Sequence, residues 1–186
     1  MSTYRFAIVP TALGAFGAAW SDAGIVRTWL HDRTVERTRA HILRELPGAT
    51  ETAPPPEIAD ALADVEALLA GERRLPTAAL DMRAIPDFDQ RVYAYARTVL
   101  PGETVTYGAV AKALGEEPMR ARDVGVALSR NPFAPIVPCH RIVAANGNLG
   151  GYSAPGGVST KRMLLELEGA AVVAPPEPPA QVGLFD

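Results

Sequence analysis

The 186-residue sequence has a single cysteine, few aromatic residues and no long apolar run. One cysteine, Cys139, excludes an intramolecular disulfide, a zinc site built from several cysteines and a two-thiol redox couple. The most apolar stretch, residues 6–20, is shorter than the roughly 20 residues of a membrane-spanning helix, and Pro10, Gly14 and Gly17 interrupt it. We interpret it as two strands and a turn rather than as a signal peptide. The sequence therefore predicts a cytoplasmic protein that has no membrane partner.

Neither sign of charge is in large excess. The formal net charge is −3 and the isoelectric point is near 5.7, so the overall field does not favour a polyanionic partner. Contact with a nucleic acid would therefore depend on a local patch. Residues 119–141 form such a candidate, because Asp123 is their only acid and they contain Arg120, Arg122, Arg130 and Arg141.

The first half of the chain has the pattern of a small α/β domain. Strands are predicted at residues 4–9, 14–20 and 25–30, and helices are predicted from Thr34 to Pro47 and around residues 58–69. This half contains no catalytic motif and no glycine-rich phosphate loop. We therefore assign residues 1–85 to a supporting domain with a small antiparallel sheet and helices.

The second half, residues 86–169, is predicted to be a mainly α domain. The predicted helices are 87–99, capped by Asp87, then 107–114, capped by Thr106, then 119–130, and a last one capped by Ser159 or Thr160 that ends at Gly169. Two short helices with a tight turn between them, the second rich in arginine, are typical of a helix-turn-helix. Most helical hairpins serve only as packing, so this signal alone does not establish DNA binding.

The only thiol lies in a proline-rich, apolar connection at residues 133–143. A lone cysteine in apolar surroundings is often an inert core residue. Here His140 and Arg141 follow Cys139 directly, and cations beside a thiol lower its pKa from about 8.5. Neighbouring residues of an extended chain point in opposite directions, so a bridging water would carry a proton between Cys139 and His140. The pattern predicts a reactive thiolate.

Several segments of the second half form one further pattern. They are Tyr107 with its helix, Arg120 to Asn131-Pro132, Pro138-Cys139-His140-Arg141, Gly151-Tyr152-Ser153, and Leu164 to Glu168-Gly169. Together they resemble the O6-alkylguanine-DNA alkyltransferases, the methylated-DNA–protein-cysteine methyltransferases. The resemblance covers residues 86–169 and extends weakly to the first half. It implies an α/β domain before a mainly α domain with a winged helix-turn-helix-like core. The implied activity is irreversible, single-turnover repair, in which Cys139 takes the alkyl group of O6-alkylguanine in DNA without a cofactor or metal. O4-alkylthymine is a second candidate substrate.

The resemblance also implies roles for individual residues. Cys139, a water, His140 and Glu168 would form a proton relay, and Asn131 would hold the loop that places Cys139. The target base would be flipped out of the minor groove of double-stranded DNA. Tyr107 would press on the phosphate 3′ of the target, and Arg122 would fill the vacated stack. The base pocket would be lined by Tyr152, Ser153, Val137 and Pro138, with backbone groups of residues 137–139 recognising the edge of the base. From the charge patch, rather than from the resemblance, Arg120, Arg130 and Arg141 are expected to add DNA contacts.

Some features depart from the family or leave alternatives open. Asp123 would repel DNA phosphate beside Arg122 unless it faces solvent or pairs with Arg120 or Lys112, and the cysteines of the zinc site that some members carry are absent. A Cys-His hydrolase would use the same thiolate but turn over. A non-catalytic sensor of alkylated bases, of the alkyltransferase-like type, would lack the cysteine that is present here. An ordinary helix-turn-helix transcription factor would require a stronger basic field.

The last residues, 170–186, are predicted to be a disordered, proline-rich tail. Near its end the tail contains Gln181, Leu184 and Phe185. Their spacing resembles that of the Gln-x-x-Leu-Phe peptides with which bacterial repair proteins bind the DNA polymerase sliding clamp. The sequence thus predicts alkylated DNA as the main partner of a monomeric protein, with the clamp as a second partner.

Overall fold

The computed structural model describes residues 4–32, 34–145 and 148–171. The strands are β1 (Arg5–Thr11), β2 (Gly14–Ser21), β3 (Gly24–Asp32), β4 (Thr50–Glu51), β5 (Val105–Thr106) and β6 (Ile142–Val143). The α-helices are α1 (Val35–Glu45), α2 (Pro56–Leu69), α3 (Asp87–Ala96), α4 (Tyr107–Ala113), α5 (Ala121–Ser129) and α6 (Val158–Leu167). Short 3₁₀ turns occupy Pro118–Arg120 and Cys139–Arg141. None of the helices in these ranges is long and apolar enough to cross a membrane.

The first half contains a four-stranded sheet in the order β3-β2-β1-β4. The first three strands form the predicted antiparallel hairpins, but β4 pairs with β1 in parallel, so the sheet is mixed rather than purely antiparallel. The prediction was wrong here because β4 has only two residues, both exposed, and carries no alternating pattern. The chain reaches this edge through α1, whose residues cross one face of the sheet.

Both faces of the sheet are covered. On one face, α1 packs closely over β2, and a Cβ atom at Gly17 would lie only 2.8 Å from the side chain of Thr38 and 2.9 Å from that of Ile42. On the other face, Phe16, Ala18 and Trp20 belong to one buried apolar cluster that includes residues of α2 to α6 as well as Cys139. The two halves of the described chain therefore share a continuous hydrophobic core.

The helices of the second half follow the predicted pattern with corrections at their ends. Thr106 caps α4, as predicted, by accepting a hydrogen bond from the backbone N–H of Ala109 at 3.1 Å. Asp87 does not cap α3, because Pro86 occupies the cap position and Asp87 lies in the first turn, where a carboxylate favours the helix dipole. That helix ends at Ala96 rather than Val99. Neither Ser159 nor Thr160 caps α6; Gly157 occupies that position, and the Thr160 hydroxyl donates to the Pro155 carbonyl at 2.6 Å.

Two long-range connections place the loop that contains Cys139. The short parallel pair β5 and β6 joins the segment after Cys139 to the strand that leads into Tyr107. From the first half, Thr28 in β3 donates through its backbone N–H to the Pro132 carbonyl at 2.8 Å and through its hydroxyl to the Ala134 carbonyl at 2.6 Å. The sheet is thus hydrogen-bonded directly to the loop.

Candidate active site

Cys139 begins a 3₁₀ turn and is 6% exposed. Asn131 braces the loop before it: its side-chain amide donates to the Val137 carbonyl at 2.9 Å, and its side-chain oxygen accepts from the Phe133 N–H at 2.9 Å. Burial raises the pKa of the Cys139 thiol, and the opposing effects of Asn131 and the Lys161 cation are smaller. The resting site therefore holds a neutral thiol in a fixed loop.

A buried ion-pair network lies directly behind the thiol. Nε2 of His140 lies 2.8 Å from Oε1 of Glu168, and both residues are almost fully buried. Arg141 donates two hydrogen bonds of 2.8 Å to the same carboxylate and a third, of 2.6 Å, to the Val99 carbonyl. The predicted relay residues His140 and Glu168 are therefore in direct contact.

The charges in this network are set by burial and by hydrogen bonds. Burial alone would raise the pKa of Glu168, but the hydrogen bonds from His140 and Arg141 outweigh it and lower that pKa to about 2. Burial lowers the pKa of His140, and the hydrogen bond to Glu168 opposes this shift only in part. At neutral pH the site thus pairs a neutral imidazole with a carboxylate that the Arg141 cation balances.

Lys161 is a site residue that the sequence reasoning missed. Its ammonium group is buried, donates to the Ile142 carbonyl at 2.5 Å and lies 3.5 Å from both the Gly151 carbonyl and the Tyr107 hydroxyl. Burial lowers the pKa of Lys161 to about 8, against the influence of the nearby Cys139. A signal was present in the sequence, because Lys161 lies at helical spacing with the buried Leu164, Leu165 and Glu168.

Cys139 borders two cavities. One, of about 520 Å³, lies beside α5 and is lined by residues that include Tyr107, Arg122, Tyr152 and Ser153. The other, of about 540 Å³, lies between the Cys139 loop and residues of β3 and α1. The Tyr152 hydroxyl is buried, and this burial is the largest cause that raises its pKa well above the ordinary value. The structure thus brings four predicted residues to one cavity at the thiol.

Comparisons with known proteins agree with this geometry. Residues 87–170 match the family described as the DNA binding domain of 6-O-methylguanine DNA methyltransferase. The methylated-DNA–protein-cysteine methyltransferase of Mycobacterium tuberculosis is 35% identical over 182 residues, which cover 98% of this chain and 99% of that protein. The one from Mycolicibacterium paratuberculosis is 36% identical over 186 residues, covering 100% of both chains. This chain belongs to the 6-O-methylguanine DNA methyltransferase family.

Solved structures of the family share the fold. The O6-methylguanine methyltransferase of M. tuberculosis superimposes with a TM-score of 0.70 at 34% identity, covering 90% of this chain and 93% of that chain. The OGT of the same organism, solved in complex with DNA, gives a TM-score of 0.69 at 34% identity, covering 89% and 92%. The architecture of an α/β first half and a mainly helical second half is therefore that of 6-O-methylguanine DNA methyltransferases.

The structure contradicts two predictions, one from the charge patch and one from the family resemblance. Arg141 is fully buried and bound to Glu168, so it cannot contact DNA from this position. The Val137 carbonyl already accepts hydrogen bonds from Asn131 and from the Cys139 N–H, at 2.9 and 2.8 Å, which leaves it no lone pair to recognise a base. Val137 and Pro138 are both buried, and neither lines the cavities at Cys139. Both predictions were wrong because a short sequence motif gives the type of each residue but not whether its side chain is buried.

The remaining arginines of the patch are exposed but differ in their partners. Arg130 pairs with the buried Asp89 through bonds of 3.0 and 3.1 Å and lines the larger cavity. Arg120 pairs with Asp123 at 2.6 Å, one of the possibilities that the sequence left open. Arg122 lines the cavity beside α5 and forms no ion pair with any residue in the described ranges. Within those ranges there is also no group of three or more metal-ligating side chains.

Proposed function

We propose that this protein repairs alkylated DNA by direct reversal, in which the alkyl group of O6-alkylguanine moves to the sulfur of Cys139. The activity is that of its family, methylated-DNA–protein-cysteine methyltransfer. One observation supports the choice of residue above all others. The only cysteine of the chain borders the cavity beside α5, and the histidine that follows it is bound to a buried carboxylate.

Glu168 determines which nitrogen of His140 can accept the thiol proton. Because Glu168 is ionised, it accepts a hydrogen bond from Nε2, and the free lone pair of the neutral ring then lies on Nδ1. Nδ1 is buried and makes no hydrogen bond to a described residue. A water between Nδ1 and the sulfur would carry the proton to His140 and leave the thiolate that attacks.

The transfer is a single displacement. The thiolate sulfur forms a bond to the alkyl carbon, the bond from that carbon to O6 breaks, and its electron pair passes to the base. The base then takes up one proton, equal to the one that the thiol lost, and becomes guanine. Water cannot displace the Cys139 thiolate from the alkyl carbon of the thioether at a useful rate, so each molecule acts once.

We propose that one copy of the protein docks on the minor groove of DNA through α4 and α5, which act as a helix-turn-helix. Several features support this arrangement. Gly125 and Ala121 add little side-chain volume to the outer face of α5, and Val126 of the same helix is 44% exposed. Arg122 forms no ion pair with a described residue. A flipped nucleotide would enter the cavity that Arg122, Tyr107 and Tyr152 line together with Ser153 and Cys139.

The test is the mass of the protein after incubation with duplex DNA that contains O6-methylguanine. We expect a gain equal to one methylene group, located by peptide mapping on Cys139, and no gain for Cys139→Ala. A base sensor or a transcription factor would bind DNA without any change in mass, and a Cys-His hydrolase would return to its starting mass. Either result would overturn the proposal.

We further propose that the tail binds the bacterial sliding clamp through Gln181, Leu184 and Phe185, which lie outside the described residues. The support is the sequence alone: two large apolar residues return after a proline-rich stretch, and a solvated tail gains nothing from them. A labelled peptide of residues 178–186 should bind a bacterial clamp with micromolar affinity, or about −8 kcal/mol. Binding should be lost on Leu184→Ala plus Phe185→Ala; no binding at hundreds of micromolar would contradict the proposal.

A further inference from the structure

Arg120 occupies an unusual position for a predicted DNA ligand. Its Nε donates to Asp123 at 2.6 Å and its Nη1 donates to Glu116 at 3.1 Å, while the guanidinium plane lies 5.0 Å from the centre of the Phe88 ring. The hydrogen bond that Arg120 donates to Asp123 is the largest cause that raises the pKa of Arg120. Two carboxylates and an aromatic face therefore already hold this cation.

The contacts continue into a chain of alternating charges. Arg91 of α3 donates to Glu116 at 3.0 Å and also to the Leu114 carbonyl. The order Arg91, Glu116, Arg120, Asp123 ties α3 to the turn between α4 and α5 and to the first turn of α5. Two cations balance two carboxylates, so this group, which we call the α5 rim network, is neutral as a whole.

The rim network lies beside Arg122, which forms no ion pair with any described residue. If Arg120 left its partners for a DNA phosphate, Asp123 would lose its only ion pair with a described residue and Glu116 would keep only Arg91. The uncompensated negative charge at the edge of the same surface would repel the phosphates. A cation that must give up two carboxylates gains little from one phosphate. The charge that DNA encounters on α5 is therefore that of Arg122.

We propose that Arg120 is a positioning residue for DNA binding, which acts by neutralising Asp123 and Glu116 and not by contacting a phosphate. This inference rests on the proposed docking of DNA on α5. It accounts for the acid beside Arg122: Asp123 is tolerated because Arg120 neutralises it.

The test measures the affinity of the full-length protein for a labelled undamaged duplex at low salt. Arg120→Gln removes the charge and should bind about tenfold more weakly, because Asp123 loses its partner. Adding Asp123→Asn should restore affinity to within about threefold of the original protein. The matched control is Glu117→Gln in the Arg120→Gln background, which gives the same net charge but removes an acid outside the rim network; we expect it to restore little.

Each alternative gives a distinct result. If neither second change restores binding, Arg120 is itself a phosphate ligand, and if both restore it equally, only net charge matters; both results overturn the inference. Should Arg120→Gln fail to fold, Asp123→Asn alone still tests it, because weaker binding by that variant would contradict a repulsive carboxylate. Arg122→Ala separates the two proposals. If Arg122→Ala binds DNA with normal affinity, the proposed docking of DNA on α5 is wrong as well. If Arg122→Ala binds weakly but Arg120→Gln binds with normal affinity, only the proposed role of Arg120 is wrong.

Discussion

Glu168 links the chemistry of the site to the stability of the protein. Its carboxylate is the shared acceptor for His140 and Arg141, and no water is needed to complete this contact. Replacing one member of such a buried set leaves the others unpaired, which typically costs 3–5 kcal/mol. The same carboxylate fixes the tautomer of His140. One residue therefore serves both the proton relay and the packing behind it.

The lowered pKa values predict that acid destabilises the protein. The pKa of Glu168 falls to about 2 in the folded state, so its contribution is complete above its unfolded value near 4.5 and is lost as the pH falls toward 2. The pKa of His140 is also lowered, so the unfolded chain takes up that proton first and stability begins to decline below about pH 6.5. The Glu168 part is on the order of 3 kcal/mol.

Urea unfolding at a series of pH values between 7.5 and 3 measures this dependence. The free energy of unfolding should decrease steadily as the pH is lowered. Glu168→Gln should flatten the curve below pH 5, because the variant has no carboxylate at position 168 to protonate. The comparison uses the slopes and not the absolute stabilities. A slope below pH 5 that is the same in both proteins would show that Glu168 is not the group responsible.

At the scale of elements, the proposed docking on DNA depends most on α5. Its first turn carries Arg122 and Asp123, the latter a member of the rim network, and its buried face packs through Val124, Ala127 and Leu128. The helix is held on its inner side while its outer side is free to enter a groove. The cavity with Cys139 opens along that outer side.

Arg122→Ala should therefore slow repair of duplex DNA at least about tenfold, because filling a vacated stack offsets a few kcal/mol of unstacking. A free O6-alkylguanine base needs no flipping, so its reaction with Cys139 should slow much less. Single-turnover rates with both substrates measure the difference, and Arg122→Lys, which keeps the charge but not the flat side chain, is the control. An equal loss of rate on both substrates would mean that Arg122 acts in the base pocket or in the stability of the fold.

The elements differ in how well the sequence predicts them. The long strands and the helices repeat their apolar residues at local spacing, so β1 to β3 and α1 to α6 could be predicted. The strands β4, β5 and β6 have two residues each and exist only because distant segments pair. In the site, the motif identified Cys139, His140 and Glu168 as candidates. The burial of Arg141 and Lys161 depends on partners far along the chain, and the sequence reasoning missed it.

At the scale of the whole molecule, the first half supports the site directly. Its apolar residues belong to the same cluster as Cys139, and Thr28 hydrogen-bonds the loop that carries the thiol. The linker that follows α2 runs along β3, with hydrogen bonds of 2.9 and 2.7 Å between Ile25 and residues 79 and 81. The structure thus gives the first half a physical role, which is to fix the position of the Cys139 loop.

Thr28→Val tests this role, because it removes the hydroxyl but keeps the shape and the backbone bond. The Ala134 carbonyl would lose its donor, and we expect a loss of about 1–3 kcal/mol in unfolding free energy and slower alkylation of Cys139 by a free base. Thr28→Ser restores the hydroxyl and should recover most of both. Normal stability and a normal rate for Thr28→Val would mean that the loop holds its position without the first half.

The central claim is that Cys139 accepts one alkyl group and is not regenerated. The most direct measurement titrates a known amount of full-length protein with a large excess of duplex DNA containing O6-methylguanine and counts the guanines restored over time. The account predicts a plateau at one guanine per protein molecule, reached together with complete methylation of Cys139. Repair that continues well beyond one equivalent, or a plateau at one equivalent with Cys139 unmodified, would contradict it.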